Sequence, residues 1–266
     1  MRNDDFIGQQ FYWFTGVVED VTDPEMLNRV RVRCIGYHTE STARLKTVDL
    51  PWATVVMPNT DASLKGIGGN HELEIGSWVV GFFRDGMSAQ DPMVLGSIAT
   101  QTEGEKDIPV EAQLNPPTNK VHKTQAGHLI ELDNTPDIER INIMHGTNKS
   151  TLNIDVEGVT TVKSISLGDE PKTHTLTMDP KTNTITLLHH SGTTININEA
   201  GDVSIDSVSD VISIDGNTTI TGTLNVSEAT TLQSTLAVTD TITGSSTVAG
   251  TNLDTGHKKG SAYPHG

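Results

Sequence analysis

Hydrophobic and polar residues alternate along most of this chain, and the first hundred residues show the alternation most clearly. The period of two that is typical of half-buried strands occurs in five segments. These are 14–18, 29–35, 52–57, 78–83 and 93–98. Turn residues separate them, and the longest loop, Ser63 to Gly76, is rich in glycine. Five short strands with one long loop predict a small closed barrel of the OB type.

The pattern becomes monotonous in the second half of the chain. Short units place Ile, Leu or Val in alternation with Thr, Asn, Ser or Asp. Examples are 128–132, 140–144, 184–187, 194–197, 203–206 and 212–215. Past Gly216 two units recur at an offset of twelve. Thr218-Thr-Ile returns as Thr230-Thr-Leu, and Thr223-Leu-Asn-Val returns as Thr235-Leu-Ala-Val. Self-similarity of short strands at a fixed period indicates a β-solenoid.

Each of these units supplies only one or two large aliphatic side chains, which is too few for one chain to close a wide core. Three chains around one axis would pool those side chains into a narrow apolar interior, with the polar residues outside. We therefore predict a homotrimeric needle. The alternatives are a single-chain β-helix and an elongated trimeric fibre with another task.

The distribution of aromatic residues divides the chain into domains. All Trp and Phe residues precede residue 84, and Tyr263 is the only later aromatic. Since aromatic side chains supply much of a globular core, only the first part can build one. The predicted fold is all-β, with an N-terminal OB-fold barrel followed by an elongated trimeric intertwined β-helix, or β-prism, needle. The predicted domains are an OB domain at 1–105, a proline-containing linker at 106–125, a triple-stranded β-helix at 126–250 and a tip at 251–266.

Charge narrows the choice of partners. The net charge is −16, and no Lys or Arg occurs from residue 182 to 257. Such a chain repels nucleic acid phosphates, so we expect no nucleic acid partner. The start of the chain lacks the apolar stretch of a signal peptide, which predicts synthesis in the cytoplasm. Cys34 is the only cysteine, so no intrachain disulfide forms.

Several stretches of the first hundred residues resemble the OB-fold domain of the central spike proteins of T-even and related contractile-tailed phages. They are Trp13-Phe-Thr-Gly-Val-Val-Glu-Asp, Asp23-Pro, Arg29-Val-Arg-Val-Arg, Leu50-Pro-Trp-Ala, Gly66-Ile-Gly-Gly, Gly76-Ser-Trp-Val-Val-Gly-Phe-Phe-Arg-Asp-Gly and Pro92-Met-Val-Leu-Gly-Ser-Ile. A second resemblance, to the segment that enters the β-helix of these spikes and of type VI secretion spikes, runs from Gly127-His-Leu-Ile-Glu-Leu through Glu139-Arg-Ile-Asn-Ile-Met-His. Together they cover roughly the first 150 residues.

The chain departs from both families in one respect each. The linker leaves no room for the lysozyme domain that the T-even spike carries between barrel and needle. Type VI spikes have large hub domains before the barrel, whereas about ten residues precede it here. We therefore expect a stand-alone spike in the virion, at the centre of the tail baseplate, that docks on a separate hub protein and breaches the outer membrane of the target cell.

One face of the second predicted strand is cationic. Arg29, Arg31 and Arg33 alternate there with apolar residues. OB barrels often bind single-stranded nucleic acid, but they add exposed aromatics and a broadly basic surface for it. We expect these arginines, with Trp13, to form a hub or intersubunit interface instead.

Histidines near the end of the chain are candidate metal ligands. In related spikes a His-x-His pair at this place binds an iron ion on the three-fold axis, and imidazole suits such a metal. Here the pair is broken, so the candidates are His257 and His265 from three chains, holding one iron or other transition-metal ion per trimer. The alternatives are a self-capped tip and a platform for a separate PAAR-like tip protein. The adjacent residues His189 and His190 would point to opposite faces of a strand and would not share an ion.

Catalytic motifs give no sign of an enzyme. Neither Gly-x-Ser-x-Gly nor His-Glu-x-x-His occurs. The carboxylates of the needle occupy outward strand positions, which predicts a solvated acidic surface. The expected function is mechanical penetration. The alternatives are a receptor-binding fibre and a polysaccharide-degrading tailspike, of which the latter would need sugar-stacking aromatics that the needle lacks.

Overall fold

The computed structural model describes residues 12–102, 104–233, 236–237 and 239. The chain divides into two compact units, Met1–Ile212 and Ser213–Gly266. Within the described residues, the regular structure consists of strands and short 3-10 turns. None of those residues forms a helix of the length and apolarity needed to cross a membrane. The all-β prediction is confirmed.

Five strands of the first unit close a barrel in the order β1-β2-β3-β5-β4. Their bounds are β1 Tyr12–Asp20, β2 Val30–Cys34, β3 Trp52–Val55, β4 Trp78–Phe83 and β5 Pro92–Ser97. All pairings are antiparallel except that of β3 with β5. These are the five predicted strands, with no end shifted by more than two residues, and the OB-type barrel is confirmed.

The barrel core consists of the inward residues of these strands. Alternation places Val30, Val32 and Cys34 inside, each at most 1% exposed. Phe14 and Phe83 pack against each other there with ring centroids 4.9 Å apart. Burial raises the pKa of the Cys34 thiol to about 12, so this side chain acts as a small apolar group of the core.

A nine-stranded antiparallel sheet follows, in which each strand pairs with the next strand along the chain. After a short hairpin of β6 (Gln101–Thr102) and β7 (Glu105–Lys106), its strands are β8 Asn119–Lys123, β9 Leu129–Asp133, β10 Arg140–Met144, β11 Thr151–Ile154, β12 Thr160–Ile165, β13 Thr173–Asp179, β14 Thr184–Leu188, β15 Thr194–Ile197 and β16 Val203–Asp206. Strand β8 lies within the segment predicted as the linker. The meander is thus built from hairpins of a single chain.

The prediction of a strand at 212–215 is wrong for the single chain, because these residues form no strand. The twelve-residue repeat behaves in the same way in its described part, where no strand is found. Ile212, Ile214, Ile220 and Leu224 are all more than half exposed. A strand needs a neighbour for its backbone and a cover for its apolar side chains, and one chain supplies neither here.

Two glycines of the barrel strands have very different surroundings, which makes the packing testable. A methyl group on Gly81 would overlap the carbonyl oxygen of Met93 and the ring of Phe14, whereas nothing lies within 4 Å of a Cβ built on Gly96. We expect Gly81→Ala to destabilise the barrel by about 1–3 kcal/mol through overpacking. Urea unfolding followed by tryptophan fluorescence measures this, since all three Trp residues lie in the barrel. Gly96→Ala is the matched control, and an equal loss in both variants would contradict the packing argument.

Candidate functional site: the apolar face of the sheet and the polar groups around it

The register of the nine-stranded sheet places its large aliphatic side chains in continuous rows on one face. The first row crosses eight strands through directly paired residues. Its members are Ile130, Ile143, Leu152, Val162, Leu176, Leu187, Ile195 and Ile205. The second row, two residues along each strand, is Leu132, Ile141, Ile154, Thr160, Met178, Ile185, Ile197 and Val203. Only Thr160 interrupts these rows with a polar side chain.

The chain leaves this apolar face open to solvent. Ile130 is 46% exposed, Leu187 46% and Ile205 49%. The exposed apolar surface therefore extends from the first strands of the sheet to its last. The opposite face carries a paired polar row instead. That row is Glu131, Asn142, Asn153, Thr161, Thr177, Thr186, Asn196 and Ser204. An exposed apolar surface of this extent marks an interaction site.

The polar face is covered where the sheet begins. There Glu131 is 2% exposed, and its carboxylate accepts hydrogen bonds from Asn119 Nδ2 at 2.9 Å and Asn142 Nδ2 at 2.7 Å. A 3-10 turn, Val110–Ala112, lies over it, since Asn119 Nδ2 also donates to the Glu111 carbonyl. The expectation that needle carboxylates are solvated is therefore wrong for Glu131. Burial raises its pKa, but these hydrogen bonds and one from Arg140 outweigh burial and hold the pKa below its usual value.

Each arginine of the cationic stripe lies on the outer face of β2 or directly before that strand, and each has partners in the same barrel domain. Arg29 donates to both carboxylate oxygens of Asp23, from Nε at 3.0 Å and from a terminal nitrogen at 2.7 Å. That hydrogen bond and the Asp23 contacts with backbone amides lower the pKa of Asp23. Arg31 donates to the Val48 and Leu50 carbonyls and lies over the Trp52 ring, 4.4 Å from its centre.

Arg33 is the most enclosed of the three arginines, with its side chain 9% exposed. It donates to both carboxylate oxygens of Glu19, at 2.5 and 2.9 Å, and to the Thr39 and Leu45 carbonyls. The hydrogen bond from Arg33 lowers the pKa of Glu19 despite the opposing effect of burial. Arg31 and Arg33 thus fix the loop between β2 and β3 onto the barrel, and Arg29 holds the loop between β1 and β2. The interface role of the stripe stays a prediction.

Trp13 differs from these arginines in its surroundings. It is 54% exposed on β1, and its ring meets Phe82 edge-on, with centroids 5.8 Å apart. Among the four predicted interface residues, Trp13 offers the largest apolar surface. The remaining predicted site residues, His257 and His265, lie outside the described residues, so the tip site also stays a prediction.

The interpretation of His189 and His190 requires a correction. Strand β14 ends at Leu188, so His190 lies in a turn and strand alternation does not separate the two rings. Their centroids are 4.1 Å apart, and His174 of β13 lies beside both. Partial desolvation, followed by the charges of His189, Lys172 and His174, lowers the pKa of His190, although its side chain is exposed. Sequence periodicity could not find this cluster, because it depends on where the strand stops.

Comparison with known proteins agrees with the architecture of the barrel. Residues 36–124 match the family of Gp5 N-terminal OB domains. The pre-baseplate central spike protein Gp5 of Enterobacteria phage T4 is 41% identical over 87 residues, which are 30% of this chain and 15% of that protein. The barrel resembles that of a phage central spike. Protein Gp5 of Vibrio phage KVP40 is 33% identical over 141 residues, 48% of this chain and 32% of that protein.

These matches confirm the resemblance to T-even central spike proteins. The longer one, of 141 residues, exceeds the barrel in length. The chain spans less than a third of either Gp5 relative. The match to the OB family begins after β2 and continues through β8, so the Gp5-like region includes the segment that covers Glu131.

The Glu19–Arg33 pair of the Gp5-like barrel predicts a pH dependence. Because the folded pKa of Glu19 is depressed, its contribution is complete above the unfolded value of about 4.3 and is lost as pH falls through the folded value. We expect Glu19→Gln to lower the urea midpoint by a constant amount from pH 8 to 5, and the difference from wild type to shrink below about pH 4. Tryptophan fluorescence at each pH gives the midpoints.

The exposed carboxylate of Glu74 provides the matched control, as Glu74→Gln changes a charge on the same barrel without removing this pair. A difference between Glu19→Gln and wild type that stays constant down to pH 2 would contradict the assigned role of the pair.

Proposed function

We propose that this protein is a non-enzymatic, homotrimeric spike at the centre of a contractile tail baseplate in the virion. The apolar face of the sheet carries the proposal. Three copies of that face would close a triangular prism with the aliphatic rows inside and the Thr, Asn and Ser row outside. The similarity of the barrel to Gp5 supports the baseplate location.

The geometry of the face favours association of like chains over a globular partner. Its rows continue across eight strands with uniform spacing, so a complementary surface must have the same repeat. Another copy of the same sheet has that repeat by construction. Strands spaced about 4.8 Å apart make a wall about 38 Å long from nine strands. A prism with three such walls is stiff along its axis, which is the property that mechanical penetration requires.

In this proposal each part of the chain has a separate task. The barrel docks on a separate hub protein through exposed groups such as Trp13, and the needle transmits the force of sheath contraction to the outer membrane of the target cell. The tip, with His257 and His265 from each chain, holds one iron or other transition-metal ion or carries a PAAR-like protein. We expect no nucleic acid partner, since each stripe arginine already donates hydrogen bonds to groups of the barrel domain.

The trimer is tested by two charge substitutions at neighbouring positions of β14. Leu187 lies in the apolar row and Thr186 in the polar row. We expect Leu187→Glu to convert the trimer to monomers, because it places a charge in the closed interior, whereas Thr186→Glu leaves the trimer intact. Light scattering coupled to size-exclusion chromatography gives the mass of each variant. A monomeric wild-type chain, or equal effects of the two substitutions, would overturn the prism.

The location in the particle distinguishes a spike from the alternatives. Antibodies raised against the purified protein and coupled to gold should label the centre of the distal face of isolated contractile tails. Labelling along peripheral fibres would support a receptor-binding fibre instead. Release of oligosaccharides from purified cell-surface polysaccharide by the wild-type protein would support a tailspike enzyme and overturn the non-enzymatic assignment.

A further inference from the structure

Three histidines from two neighbouring hairpins meet at one place on the sheet. His174 is in β13, and His189 and His190 follow directly on the end of β14. One ring nitrogen of each lies within 4.8 Å of the others, and no other group of this kind is found among the described residues. The place is far from the end of the chain in sequence and shares no residue with the predicted tip site.

The backbone brings the three rings together through the register of the sheet. Thr175 pairs with Leu188, so the next position along places His174 opposite His189 on the same face as the aliphatic rows. The turn then brings His190 over the same edge, with its Nδ1 3.0 Å from Nε2 of His189. Two backbone hydrogen bonds hold this turn, from the His189 amide to Thr193 and from the Gly192 amide to His189.

We propose that His174, His189 and His190 form a binding site for a divalent ion of zinc, copper or nickel. The donor set decides the class of ion, because three imidazoles without carboxylate or thiolate suit zinc, copper and nickel and disfavour calcium and magnesium. A zinc–nitrogen distance of about 2.1 Å requires ligand nitrogens within about 4.2 Å of one another. His189 and His190 are exposed, so side-chain rotation can close the remaining gap.

A neighbouring hydroxyl supports the geometry. Ser191 Oγ lies 2.7 Å from Nδ1 of His189. When Nδ1 of His189 carries the proton and donates a hydrogen bond to Ser191 Oγ, the lone pair of this ring is at Nε2, which faces His190. In most metal-bound histidines, the N–H of the second ring nitrogen donates a hydrogen bond to such an oxygen, which fixes the tautomer and the ring orientation. A protonated Nδ1 cannot accept a hydrogen bond, so the longer contact, from the Ser191 amide at 3.3 Å, is lost in this tautomer.

The consequence of metal binding here is structural. The ion would tie the first residues of β13 to the turn between β14 and β15, at the edge of the apolar face. All three ligands come from one chain, so the site requires neither the trimer nor the tip. Its expected stoichiometry is one ion per chain, against one per trimer for an axial tip site.

The test uses the full chain with both tip histidines replaced, His257→Asn and His265→Asn, so that zinc binding there cannot contribute. We expect calorimetric titration with zinc chloride to give one ion per chain in this background. Replacing His174 with Asn should lower the affinity on the order of 100-fold or more, since one of three ligands is lost. Cobalt(II) in place of zinc should give visible absorption bands that the same substitution removes.

The matched control is His122→Asn, because His122 is also exposed and pairs with Glu72 away from the cluster. This variant should bind zinc as the background does. His190→Asn, in the turn, repeats the test at a position where a folding defect is least expected, and circular dichroism verifies that each variant is folded. Absence of zinc binding in the background, or unchanged affinity in both folded cluster variants, would overturn the site while leaving the proposed spike function untouched.

Discussion

Strand alternation kept in register over many hairpins is the constraint on which the second part of this molecule depends. A slip of one residue at any turn would move the aliphatic side chains of all later strands to the polar face. The paired rows from Ile130 to Ile205 show no such slip. The result is a sheet with one apolar and one polar face that has no core of its own to cover the apolar side.

The barrel solves the same problem in the opposite way. Its five strands close on themselves, and their inward side chains, among them Phe14, Val32 and Phe83, bury one another almost completely. Val32 and Phe83 are each 1% exposed, whereas the aliphatic residues of the sheet are commonly about 40% exposed. Closure covers the apolar side chains of the barrel, whereas the open meander leaves its aliphatic rows exposed to solvent.

Several charged side chains of the barrel and of the sheet bind groups of the same chain. Arg31 and Arg33 hold the carbonyl groups of a loop that has no strand partners, and Glu131 gathers the amides of two adjacent strands under a 3-10 turn. Such charged groups resemble binding residues in a sequence, because a strand that alternates Arg with Val gives no indication of what lies opposite. Their contacts show that they stabilise the fold of this chain first.

Inspection of the sequence located the five barrel strands and the alternation of the sheet strands, because a period of two is a local property of the chain. Matching stretches of residues gave the resemblance to phage spikes. The sequence also indicated that the later strands carry too few large side chains to close a core. The three-dimensional structure was needed to see that residues 119–206 form a meander of hairpins, that Glu131 is buried, and that His190 joins His174 and His189. These features depend on where each strand ends and on what crosses its face, and neither is encoded in the pattern of a single strand.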